Sequence, residues 1–205
     1  MKIERSKYKD FTIYNVIYDL STDFNLLCKI EQFAEQSYKN TYRRSGMDDV
    51  NHKKNIIIGK RAEEAASFLI ATLYREKTGK NIELKPNYDS KNIDVCDIEF
   101  RNKKIDVKSS SIVTKRKSLS LEEALEKFNF TVLLDQSPKD IIIQALYPSR
   151  YSYDNFWFSV WQYVNTVINE GTLKYIQMNG NSGEYKLLPL MKGIKLEELI
   201  TRENI

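Results

Sequence analysis

One histidine and two cysteines in 205 residues leave several kinds of chemistry without their side chains. His52, Cys28 and Cys96 together cannot furnish a four-ligand zinc site of Cys and His alone, and two cysteines make no disulfide scaffold. The same scarcity removes every mechanism that needs a second histidine, and it makes a Ser-His-Asp or Cys-His hydrolase a strained fit. Only seven glycines and four prolines occur, so collagen-like, mucin-like and wholly disordered classes fall away. No apolar run approaches the roughly 18 residues of a membrane span, which predicts no membrane partner. The opening MKIERSKYKDF carries charges with no apolar stretch behind them. It predicts no signal peptide and a cytoplasmic protein.

What is present is the balance of a folded protein: 41% apolar and 29% charged residues, enough to bury a real core. The net charge of +4 permits a polyanion partner without demanding one. There is no internal repeat and no low-complexity segment. The chain reads as one α/β domain in three parts. These are a helical N-terminal extension (1–54), a core of mixed β-sheet flanked by helices (55–147), and an aromatic-rich C-terminal addition (148–205).

Within the extension, Leu26, Leu27, Ile30 and Phe33 recur at helical spacing, and residues 48–54 read as a polar loop. The best-defined element is a helix over 59–79. Ala62, Ala65, Ala66, Leu69 and Leu73 form its stripe, Lys77 sits in the last turn and Gly79 stops it. A short strand is expected at 81–84. Two charged-apolar alternations follow, Asp97-Ile98-Glu99-Phe100 and Ile105-Asp106-Val107-Lys108, joined by RNKK as a hairpin. Ser120 and Glu123 form a capping-box pattern that opens a helix to Phe128. Strands are expected at 130–134, 140–146, 173–178 and 184–190, with a closing helix at 196–200. The aromatic run RYSYDNFWFSVWQYV suits a helix against the sheet or an interface.

The hairpin is where composition becomes chemistry. If RNKK is the turn, Asp97 lies across from Lys108 and Glu99 across from Asp106. Period-2 alternation then gathers three acids and a lysine on one face. Such carboxylates suit a hard divalent cation, which takes one or two of them beside water and phosphate. A neighbouring ammonium can position a water and offset transition-state charge. Acid-x-Lys tripeptides are cheap, and this chain has three more, at Glu83, Asp89 and Glu184. Only Asp106-Val107-Lys108 combines a hairpin, an acid on the preceding strand, hydroxyls directly after it and an acid-bearing helix upstream.

At CDIEFRNKKIDVKSSS, residues 96–111, together with Gly59-Lys-Arg-Ala-Glu63, the sequence resembles the PD-(D/E)XK nuclease superfamily. That superfamily includes type II restriction endonucleases and archaeal Holliday-junction resolvases. The resemblance spans residues 59–147, and Cys96 stands where a proline often precedes the first acid. It implies a restriction-endonuclease-like core and a Mg²⁺- or Mn²⁺-dependent endonuclease acting on double-stranded DNA. Asp97 and Asp106 would hold the metal with the Val107 carbonyl, Lys108 would position water, and Glu63 would assist. A type II restriction enzyme is the first choice within the class. A repair or junction-resolving nuclease is the alternative, and a non-catalytic DNA-binding protein of the same fold the rival from outside it.

Two choices stay open. Asp94 competes with Asp97, though it needs a bulge to share the face of Asp106 and Lys108. Glu64 competes with Glu63, though Glu63 borders the Ala62-Ala66-Leu69 stripe and Glu64 reads as a solvated residue. Ser109, Ser110 and the basic loop Lys115-Arg116-Lys117 are candidate DNA contacts. The mixture Gln36, Tyr38, Lys39, Tyr42, Arg43 and Arg44 suits nucleic acid and an ordinary amphipathic helix equally. Cys28 and Cys96 read as buried or half-buried thiols, and His52 as a surface residue. Cutting both strands of a duplex predicts a twofold homodimer, with candidate contacts at 24–33 and 156–161.

Overall fold

A computed structural model describes residues 1–39, 48–89, 96–113, 118–134, 139–148, 153–178 and 181–202. The chain opens with β1 (Lys2–Tyr8) and β2 (Phe11–Ile17), an antiparallel hairpin where a helical extension was expected. The reason lies in β2: Ile13, Tyr14 and Val16 are buried β-formers, and β1 is a polar edge strand that leaves no apolar pattern to read. Helix α1 (Phe24–Ser37) follows as expected, burying Leu27, Ile30 and Phe33.

Helix α2 (Asp49–Thr78) starts ten residues earlier than its alanine stripe suggests and absorbs the expected polar loop. Asp48 is the cap that starts it, accepting the Asn51 N–H at 2.7 Å. Gly79, with φ of 72°, ends it by donating to the Arg75 carbonyl at 2.8 Å. His52 is therefore not a surface residue. It is 3% exposed, and its Nε2 lies 2.9 Å from the Tyr38 carbonyl at the end of α1. Residues 81–84 form no strand; Ile82 and Leu84 pack against the core without a ladder partner.

The hairpin of β3 (Ile98–Phe100) and β4 (Lys103–Ser111) is tighter than expected. Its turn is Arg101-Asn102, both with positive φ, so Lys103 and Lys104 are strand residues. Glu99 consequently pairs with Lys104, not Asp106. After β4 comes α3 (Leu121–Lys127), whose Ser120–Glu123 capping box is present in both directions. Strand β5 (Asn129–Leu133) precedes β6 (Ile141–Tyr147), which runs parallel to β4.

Over its described residues the aromatic run is mostly strand where a helix against the sheet was one expectation. It forms β7 (Asn155–Phe158) and β8 (Val160–Tyr163), both antiparallel to β6, with Phe156, Phe158 and Trp161 at most 1% exposed. Then come α4 (Val164–Glu170), β9 (Thr172–Met178), β10 (Asn181–Pro189), β11 (Ile194–Lys195) and α5 (Glu198–Thr201).

The central sheet runs β1-β2-β7-β6-β4-β3, with β8 and β11 attached beside β6. Every pair is antiparallel except β4 with β6. Against one face α2 lays Ala62, Ala65, Ala66 and Leu69 on Ile98, Ile105, Val107 and Ile143. Against the other pack Leu125, Phe130, Val167 and Leu188, from α3, α4 and the small sheet β5-β10-β9. Leu27, Ile30, Phe33, Phe156, Phe158 and Trp161 are buried in this core, which takes up most of the large apolar side chains expected at a dimer face, while Phe24 stays exposed, at 63%. Cys28 and Cys96 are half-buried free thiols. No helix among the described residues is long and apolar enough to cross a membrane.

Candidate active site

The two-residue turn sets the register, and the register sets the site. Ile98 pairs with Ile105, so continuing by one residue puts Asp97 beside Asp106, where the looser turn would have put Lys108. The Asp97 N–H donates to the Ile105 carbonyl at 3.1 Å, and its Oδ2 accepts the Val107 N–H at 2.6 Å. Asp97 is thereby locked to β4 from both ends. Two residues further along β4, Lys108 Nζ meets Asp106 Oδ2 at 2.9 Å. The Lys108 side chain is 39% exposed and that of Asp106 14%, so the pair stands at the solvent boundary. Val107 itself points into the core, and only its backbone belongs to the site.

From α2, Glu63 is 8% exposed and its carboxyl feels the charges of both Asp97 and Asp106. Burial first, and then the Asp97 charge, push its pKa well above the usual carboxylate range. Asp97 is pushed up to about 6, by burial and then by the Asp106 charge, while the Val107 N–H pulls the other way. The Asp97 residue keeps part of its surface, but its carboxyl is densely enclosed, and the carboxyl's own surroundings govern its ionisation.

Glu64 is half-buried, not fully solvated: it accepts the Tyr88 hydroxyl at 2.7 Å. The residue that sequence reasoning missed is Lys60. It is 6% exposed and bonded to Glu63. The i, i+3 spacing to Glu63 was its one signal, and that spacing is common on helices.

Ser109 and Ser110 continue β4 beside Ala145 and Leu146 of β6, half-buried. The Gln144 amide donates to Ser110 Oγ at 3.2 Å and to the Lys108 carbonyl at 3.0 Å, holding this stretch straight past the lysine. Asp94, Lys115, Arg116 and Lys117 lie outside the described residues, as do Tyr42, Arg43 and Arg44.

Among the described residues no three acids, histidines or cysteines converge on a point that would hold a metal ion. A hard cation such as Mg²⁺ needs fewer protein ligands than that: one or two carboxylates, with water and phosphate completing the shell. Asp97 and Asp106 supply such a pair, with mutual repulsion that a cation would relieve. The donor set fits the ion. No family model, no curated protein and no solved structure matches this chain.

Proposed function

We propose that this chain is a Mg²⁺-dependent DNA endonuclease with a restriction-endonuclease-like core. The observation that carries the reading is one constellation. The tight hairpin sets Asp97 beside Asp106, Lys108 is tied to Asp106 at 2.9 Å, and α2 brings Glu63 within reach of both acids' charges. The order α2, β3, β4, α3, β5, β6, with β4 and β6 parallel and β5 in the small second sheet, supports the core that the resemblance implies.

Asp97, Asp106 and the Val107 carbonyl would hold the ion, and a bound Mg²⁺ or Mn²⁺ polarises a phosphate oxygen and acidifies water. Lys108, restrained by Asp106, orients a water and offsets negative charge on the phosphate oxygens. The water oxygen bonds to phosphorus as the P–O bond opposite breaks. One water proton passes to solvent and the departing oxygen takes up another. Ser110 accepts from Gln144 and so keeps its own proton to donate toward a phosphate.

Type II restriction of double-stranded DNA is the first reading within this class. A structure-selective nuclease working as a monomer is the second, favoured by the burial of Leu27, Ile30, Phe33, Phe156, Phe158 and Trp161 inside the chain's own core. Supercoiled plasmid incubated with Mg²⁺, Mn²⁺ or EDTA tests the class. Metal-dependent linear product with defined ends supports restriction, and nicked plasmid or selective cutting of four-way junctions supports the second reading. Intact plasmid and intact junctions with both metals would overturn the proposal.

A further inference from the structure

Lys60 stands one turn before Glu63 on α2, with the two side chains only 7% and 10% exposed. An ammonium has three protons to place. One goes to Glu63 Oε2 and another to the Asn87 carbonyl at 2.6 Å. The remaining side is closed by the rings of Phe33 and Tyr88, whose centroids lie 4.8 and 5.1 Å from Nζ. Tyr88 is pinned in turn by its hydroxyl on Glu64 and by Lys29, 3.7 Å from its ring centre. A buried cation with these partners does not swing away freely, because doing so would leave the Glu63 carboxyl and the Asn87 carbonyl buried without their donor.

That fixity bears on how many metal ions the site can take. Two-metal phosphodiester chemistry places a second divalent ion about 3.5–4 Å from the first, held by a carboxylate of its own. Glu63 is the acid positioned to offer one, and Lys60 already occupies it. A second divalent ion there would stand against a buried ammonium at contact distance, where low polarity magnifies repulsion.

We infer that Lys60 is a fixed counter-cation for Glu63, and that it limits this site to one divalent ion, held by Asp97 and Asp106. The inference rests on the nuclease reading. Lys60 is a positioning residue in it: it acts through Glu63 and needs no contact with DNA.

Counting bound Mn²⁺ by the electron paramagnetic resonance of the free ion, on the full chain without DNA at about pH 8, tests it. One ion per wild-type chain is expected, two for Lys60→Met, and one again for Lys60→Met combined with Glu63→Gln. Lys60→Gln, which keeps a donor for the Asn87 carbonyl, takes the place of Lys60→Met if that variant does not fold. Two ions on the wild type would overturn the inference and leave the nuclease reading standing. A count that stays at one in the folded Lys60 variant would also overturn it. No ion on the wild type would overturn the metal-dependent reading, and this inference with it.

Discussion

Replacing Asp97 by asparagine should make the protein more stable while it destroys the proposed activity. An aspartate that ionises at 3.8 when unfolded and at about 6 when folded costs the fold about 3 kcal/mol once both states are charged. The folded state holds the proton more tightly. The cost is therefore absent below about pH 4, grows as pH rises between the two values, and is complete above about pH 6. Asparagine keeps the shape and an oxygen for the Val107 N–H but carries no charge. Asp97→Asn should gain up to about 3 kcal/mol at about pH 8, or about 6–12 °C in melting midpoint for a chain of this length. At about pH 4 the gain should vanish. Thermal melts followed by circular dichroism in EDTA measure both points. Adding Mg²⁺ should then raise the wild-type midpoint and leave that of the variant unchanged. A variant no more stable than wild type at pH 8, or equally stabilised at both pH values, would refute the placement of a strained carboxylate at this position.

Lys108→Ala should lower plasmid cleavage by orders of magnitude with little change in melting or in DNA affinity, since the side chain stands at the surface and acts on the transition state. Cutting at a near wild-type rate would remove Lys108 from the mechanism. Asp106→Ala should bind DNA more tightly than wild type in EDTA, because it removes a negative charge facing phosphate; filter binding at fixed salt reads this. His52→Leu should cost about 1–3 kcal/mol in urea unfolding, as the Tyr38 carbonyl loses its buried partner.

The parts of the fold legible from sequence were those where pattern and burial coincide. The alanine stripe of α2, its Gly79 stop, the Ser120 capping box and the alternation in β3 and β4 all sit where they were expected. The N-terminal hairpin was illegible because β1 is an edge strand with mostly exposed side chains, so tertiary pairing makes it a strand where periodicity does not. The turn was misjudged for a related reason. RNKK is polar throughout, yet only Arg101 and Asn102 turn, with the Arg101 guanidinium laid 5.1 Å from the Phe100 ring centre and bonded to the Arg202 carbonyl at 3.0 Å. The tighter turn shifts the pairing by two residues, which keeps side chains on the same face, so Asp97, Asp106 and Lys108 still share one. Asp97, Asp106 and Glu63 were accessible by such reasoning. Lys60 was not, because what distinguishes it is the Asn87 carbonyl and two aromatic rings contributed by distant segments.

The pairing of β2 with β7 also governs the order in which a newly made chain can complete its sheet. Tyr14 pairs with Phe158, so β2 lacks its inner neighbour until β7, far along the chain, has been made. At ordinary elongation rates that interval is on the order of ten seconds. Meanwhile β1 shields one side of β2 with Lys2, Glu4, Arg5 and Lys7, charges of the kind that discourage strangers from adding a strand. The opposite side, carrying Tyr14 and Val16, has no such guard. Nascent chains stalled before residue 155 should therefore be the aggregation-prone species, and a chaperone that shelters early hairpins should matter more to this protein's yield than one that acts on the finished chain.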